Sequence, residues 1–166
     1  VNTKYLVAID PGVSAGVAVF DARSKRLAGA TVVKGRGRTW EERVCDVAAQ
    51  ITHVVGEFDC SEVGDSVVRI VCEYPAFMPT PGGIKIAKRG DLVKLAHAVG
   101  VLHGMFNHME LVPVRKWKGQ ASKDVINNRT VRIVSASERK AAGMSVDRSH
   151  DWDAVGIGLW ALGRKS

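Results

Sequence analysis

The chain has 166 residues, 46% of them apolar, and 24 Lys and Arg stand against 17 Asp and Glu, a formal charge of +7. This length suits one domain, residues 1–166, with a core that needs no disulfide or metal staple. The longest near-apolar run, Ala154 to Gly163, is too short to cross a bilayer, and the start lacks a basic-then-apolar secretory pattern.

Residues 4–10 read as a buried strand, and 15–21 and 26–33 as two more. Turn signals at Pro11-Gly12 and Asp21–Lys25 separate them, giving an antiparallel meander. Thr39 is placed to cap a helix reaching about Glu57. Trp40, Val44, Val47, Ala48, Ile51, Val55 and Phe58 lie on one side of it. The segment "SVVRIVCE", 66–73, is short and β-branched, as a buried strand is. Residues 74–90 carry three of the five prolines and read as a loop. Asp91 is expected to cap the next helix, with Leu92, Leu95, Ala96, Val99, Leu102, His103 and Phe106 as its apolar stripe. "ELVPV", 110–114, reads as a strand, "RKWKGQASK", 115–123, as a basic connector, and a helix begins near Ser122. A final helix spans roughly 149–163. A meander followed by alternating strands and helices predicts an α/β fold: one five-stranded mixed sheet, three antiparallel strands and then parallel ones, with helices on both faces.

Cys45, Cys60 and Cys72 form no CxxC pair and cannot all pair with one another, so reduced thiols in a cytoplasmic compartment are expected. The positive charge favours an anionic partner, nucleic acid before a membrane surface, with plain solubility as the alternative. His53, His97, His103 and His108 lack ligand-like grouping and read as packing or surface residues. Trp40, Trp152 and Trp160 read as core.

Acids at the carboxyl ends of buried strands are unusual, because burying charge is costly. Asp10 ends the first strand and Glu73 the fourth. If those strands lie side by side and parallel, the two carboxylates meet at one sheet edge. There they repel unless a cation sits between them, and oxygen ligands of this type suit Mg²⁺ or Mn²⁺. In "SHDWDAVGIGLW", Ser149 is the expected cap, and His150 and Asp153 share a helix face at i, i+3. Asp151 is expected to face outward, from the 3.6-residue period, or to favour the helix dipole at its N-terminus. Gly156 and Gly158 are expected to let this helix approach the sheet closely. Singly, each residue has a bland reading: Asp10 as a turn former before Pro-Gly, Glu73 as the end of an edge strand, His150 as a helix start. Together, such acids suit a pair of metal ions serving phosphodiester hydrolysis.

These motifs resemble, in order and along nearly the whole chain, the RuvC-type Holliday junction resolvases of the RNase H-like superfamily. "IDPGVSAGVAV" resembles the first-strand motif with Asp10, "VCEYPAF" the glutamate motif with Glu73, and "HDWDAVGIGLW" the final-helix motif with His150 and Asp153. "VPVRKWKGQASK" resembles the basic connector, with Lys118 and Lys123 at its lysine positions. That connector is shorter than in cellular bacterial members, and a compact "WKG" form is more like bacteriophage-encoded relatives.

The resemblance implies a metal-dependent endonuclease that resolves four-way junctions and other branched DNA by paired nicks. It implies a homodimer working in a bacterial or phage-infected cytoplasm. Asp10, Glu73, His150 and Asp153 are the implied catalytic and metal residues, with two Mg²⁺ or Mn²⁺ ions per site. An aromatic after the glutamate would stack at the junction, either Phe77 or Tyr74. Lys85, Lys88 and Arg89 on one side, and Arg115, Lys116, Lys118 and Lys123 on the other, would form the walls of a phosphate-tracking groove. Trp117 either stacks on a base or sugar or anchors the connector. Gly12, Ala15 and Gly16 would keep the turn slim enough for a DNA backbone. Two other readings stand beside this one. One is a catalytically idle nucleic-acid-binding module. The other is a fragment of an actin-like ATPase or sugar kinase, which needs two such subdomains.

Overall fold

The computed structural model describes residues 3–58, 68–75, 90–119, 121–144 and 150–164. Strands β1 (Tyr5–Asp10), β2 (Ser14–Asp21) and β3 (Leu27–Lys34) form the antiparallel meander. Helix α1 (Trp40–Phe58), strand β4 (Val68–Tyr74), helix α2 (Asp91–Met105) and strand β5 (Glu110–Pro113) follow. A short helix α3 (Val114–Trp117), then α4 (Lys123–Ile133), α5 (Ala136–Ala141) and α6 (His150–Ala161) complete the described chain. The sheet order is β3-β2-β1-β4-β5, with β1–β4 and β4–β5 parallel, as the order of elements predicts.

Strand alternation builds two cores. Val7, Ile9, Val17 and Val19 face α1 and α2, where they meet Val47, Ile51, Val99 and Leu102. Leu6, Ala8, Ala18, Phe20 and Val71 face the other way, onto Trp152, Val155, Ile157 and Leu159 of α6. The period of two carries Asp10 and Glu73 onto this second face, because they follow Ala8 and Val71 at the strand ends.

Local signals explain most boundaries. Thr39 Oγ1 accepts from the Glu42 amide at 3.2 Å while Glu42 Oε2 accepts from the Thr39 amide at 3.2 Å, a reciprocal cap that starts α1. Ser122 caps α4 by accepting from the Val125 amide. Other expectations are corrected. Gly90, not Asp91, stands at the cap of α2, and Asp91 lies inside the first turn, 4.0 Å from Lys94. The buried face of α2 is Ala98, Val99 and Leu102, whereas Ala96 and His103 are exposed. The helix is apolar nearly all round, so period alone could not say which side the sheet would cover. Val114 leaves the strand and opens α3, because Pro113 has no amide to continue the ladder. Trp152 is buried, but Trp40 is only half-buried, beside His97, and Trp160 is exposed. The expected Ser149 cap, Cys60 and most of the 74–90 loop lie outside the described residues.

One buried clasp holds the end of the chain to the second core. Glu138 accepts from the Leu27 and Ser135 amides at 3.0 Å each and from Arg164 Nη1 at 2.7 Å. Arg164 also donates to the carbonyls of Lys25 and Ile133. Burial pushes the Glu138 carboxyl up, but the Arg164 guanidinium and the converging amides outweigh it and hold the group at about 2. Its contribution to stability is therefore present above its ordinary value of 4.5 and is lost as pH falls toward 2. Arg164→Ala should cost about 2–4 kcal/mol in a denaturant melt at neutral pH, since it strands a buried carboxylate. Most of that cost should vanish near pH 2.

Candidate active site

The site is assembled at the rim where β1, β3, β4 and β5 end and β2 begins. In the parallel ladder Ile9 pairs with Cys72, so Asp10 and Glu73 stand at the next step, on the same face. Asp10 pairs across β2 with Gly16. The first turn of α6 lies on this pair so closely that a Cβ at residue 16 would run into the His150 carbonyl. Gly16 therefore seats the helix, and the seating brings His150 to Asp10: Nδ1 and Oδ2 are 3.0 Å apart. This corrects the expectation that Gly16 opens the turn to DNA, since the helix covers it and Ala15 is fully buried. Gly158 performs the same service against Phe20 of β2. Gly156 does not approach the sheet; a Cβ there would lie 2.8 Å from the Trp117 ring.

Asp10, His150 and Asp153 each offer a ligand atom, and these atoms all lie within 4.8 Å of one another. Asp153 is 6% exposed, and its Oδ1 is buried without a hydrogen bond. Lys123 Nζ lies 2.8 Å from Asp153 Oδ2, and Lys118 Nζ 3.9 Å from Oδ1. Both connector lysines thus converge on the last acid. Trp117 donates its indole N–H to Glu73 Oε2 at 3.0 Å. Its ring rests on Gly156, and Lys118 Nζ lies 5.5 Å from its centre, so the indole is engaged at both ends, as an anchor is. Sequence reasoning did not foresee the Trp117–Glu73 bond. Its signals were the Trp between two lysines and the glycine on α6.

Three carboxylates are crowded here against two lysines and an imidazole. Burial raises the Glu73 carboxyl to about 7, and the Asp10 charge adds to the rise against the Trp117 hydrogen bond. Burial also raises Asp10, with Asp153 adding to it and the His150 hydrogen bond opposing. The hydrogen bond to Asp10 raises His150 in turn, and that to Asp153 raises Lys123. Crowded carboxylates with raised pKa, an imidazole within reach and an orphaned buried carboxylate oxygen together fit a divalent cation.

Asp151 lies in the first turn of α6, as the helix-dipole reading has it, but the outward-facing reading is corrected. It is 8% exposed rather than turned to solvent, because α6 is sunk on every side from Asp151 to Leu159. Its Oδ1 accepts from the Trp152 amide. Tyr74 is exposed beside Glu73, and Arg115 and Lys116 are exposed on α3. Phe77, Lys85, Lys88 and Arg89 lie outside the described residues.

The architecture is the RNase H-like fold: a meander, two parallel strands and a final helix across the sheet. Among solved structures, the chain is similar to T. thermophilus RuvC in complex with Holliday junction substrate, at a TM-score of 0.59 and 20% identity over 98% of both chains. At that identity the likeness establishes the fold. No family model and no curated protein matches the chain.

The raised pKa values carry a sign. Between about 4.5 and 7 the folded chain holds protons that the unfolded chain releases, so the stabilisation by Glu73 is present at low pH and lost as pH rises through 7. Asp10 acts in the same direction. In EDTA, Glu73→Gln should therefore melt higher than the wild type at about pH 8, and the gap should close near pH 5. Thermal melts across that range check it.

Proposed function

We propose that the chain is a metal-dependent, structure-selective DNA endonuclease that resolves four-way junctions and other branched DNA. The observation that carries this reading is the grouping of Asp10, His150 and Asp153 beside Glu73, on a fold shared with a junction-bound RuvC. Asp10, His150, Asp153 and Glu73 would hold Mg²⁺ or Mn²⁺, two ions per site. When bound, such ions activate a water for in-line attack on a phosphodiester and stabilise the leaving 3′ oxygen.

The chain's own residues do the rest. Asp10 fixes the His150 ring through Nδ1, leaving the other ring nitrogen available as a ligand. Trp117 orients the Glu73 carboxylate from the connector side. Lys118 and Lys123 neutralise Asp153 and stand where a scissile phosphate would arrive. Arg115 and Lys116 on α3 would meet the DNA backbone, Lys85, Lys88 and Arg89 of the 74–90 segment would contact it as well, and Phe77 or Tyr74 would stack at the junction. Contacts of this kind position DNA without reading its sequence, so branch selectivity would come from shape and from a dimer offering two sites. Helix α2 is the face assigned to the dimer, since Val93 is 72% exposed and Met105 47%.

Labelled four-way junction and linear duplex, incubated with Mg²⁺, Mn²⁺ or EDTA, test the reading. The wild type should nick the junction in pairs, leaving 5′-phosphate and 3′-hydroxyl ends, only when metal is present. Asp10→Asn and Asp153→Asn should fold, bind junctions and lose cutting by at least about a hundredfold. Junction binding without cutting in any metal would point instead to an idle binding module. Imidazole at position 150 takes Mn²⁺ more readily than Mg²⁺, so the rate at saturating metal should be higher in Mn²⁺. Equal rates would contradict that assignment.

A further inference from the structure

The segment "KGRGR", residues 34–38, is basic and glycine-rich, and nothing in the active-site cluster uses it. It joins β3 to α1. Because β3 runs antiparallel to β2, and β2 antiparallel to β1, β3 ends at the same rim as Asp10. Lys34 pairs with Ser14, and the Gly35 amide donates to the Val13 carbonyl at 2.9 Å. The segment is thus bonded directly to the turn that follows Asp10, two strand spacings from β1, or about 10 Å.

Its conformation is imposed by α1. Asp46 accepts the Arg36 amide at 2.8 Å, and Glu42 accepts the Arg38 amide at 2.6 Å. Arg43 Nε donates back to the Gly37 carbonyl at 3.1 Å, and Gln50 donates to the Lys34 carbonyl at 3.0 Å. A Cβ at residue 35 would collide with the Arg43 backbone, and Gly37 adopts φ +149 against Glu42. The two glycines let the chain press onto the helix.

The consequence is electrostatic. Asp46 and Glu42 accept the backbone amides of this segment and hold it against α1. Among the described residues, the side chains of Arg36 and Arg38 enter no ion pair or hydrogen bond, and both residues are exposed. Here the backbone is pinned while the charges are left free, which lowers the ordering cost of meeting an anion. Beside this segment a cleft of about 250 Å³, lined by Gly12, Val13, Trp40, Asp91, Lys94 and Leu95, runs from the Asp10 turn to the start of α1.

We infer that Arg36 and Arg38 form a further DNA-backbone contact, which holds phosphates on the β3 flank of the site, opposite the connector lysines. This inference rests on the nuclease reading and adds a second anchored stretch of DNA to it. The ligand class is the phosphodiester backbone, read without base specificity.

Binding of a labelled four-way junction, measured by anisotropy in EDTA across a salt series, tests it. R36A/R38A should flatten the slope of log K against log salt by about 2, near 0.9 for each lost phosphate contact. R36K/R38K should keep the slope. R23A/R26A, in the β2–β3 turn at the opposite rim, changes net charge equally and should also keep it. Matched thermal melts confirm that each variant is folded. An unchanged slope in R36A/R38A, or an equal loss in R23A/R26A, overturns the inference while leaving the nuclease reading standing. A wild type that binds no junction at low salt overturns both.

Discussion

The seating of α6 on β2 is the contact on which the site depends. A helix with no solvent face must be buried along its length, and this one crosses the sheet through two glycine contacts, Gly16 beneath His150 and Gly158 against Phe20. The first turn cannot then avoid the strand ends. Its acids Asp151 and Asp153 are carried into a region whose packing demands are apolar, and His150 is held beside them at the exposed start of the helix. Asp153 is left with one oxygen beside Lys123 and another with no hydrogen bond. Burial of the helix thus supplies the work needed to crowd three carboxylates and an imidazole together.

That crowding is unfavourable by itself, and the protein offsets it from two directions. On one side Lys118 and Lys123 approach Asp153, and His150 approaches Asp10. On the other, Glu73 is raised to about 7 and spends much of its time protonated near neutrality. Neither device fully satisfies the site, since one Asp153 oxygen stays buried without a hydrogen bond. The Glu138–Arg164 clasp shows the contrast within one molecule. There every acceptor finds a donor, and the carboxyl is driven down to about 2 rather than up.

Positive charge is distributed along the same rim. The connector after β5 brings lysines to the last acid, and the segment after β3 presents exposed arginines on a backbone held by Asp46 and Glu42. The sheet order makes this arrangement natural, since β3 and β5 are its two edges and both end at the rim of the acids. A single topology therefore places the anionic centre between two cationic flanks.

The strands, the helix that Thr39 caps and the acids Asp10, Glu73 and Asp153 were legible in the chain. Alternation, turn residues and capping residues act locally and leave a local record. The buried face of α2 was not legible, because a helix apolar nearly all round has no period to read. Asp151 was misplaced because helical period gives direction and not depth. Gly16 looked like room for a ligand and proved to be room for a helix. The Trp117–Glu73 bond joins residues 44 positions apart, and the hold of Asp46 and Glu42 on the 34–38 backbone exists only once α1 is packed beside β3. Short-range pattern and the cost of buried charge set the elements, their order and the carboxylates at the strand ends. Which side chains share those carboxylates follows from packing, because hydrogen bonds and close approaches between distant segments exist once the sheet and α6 come together.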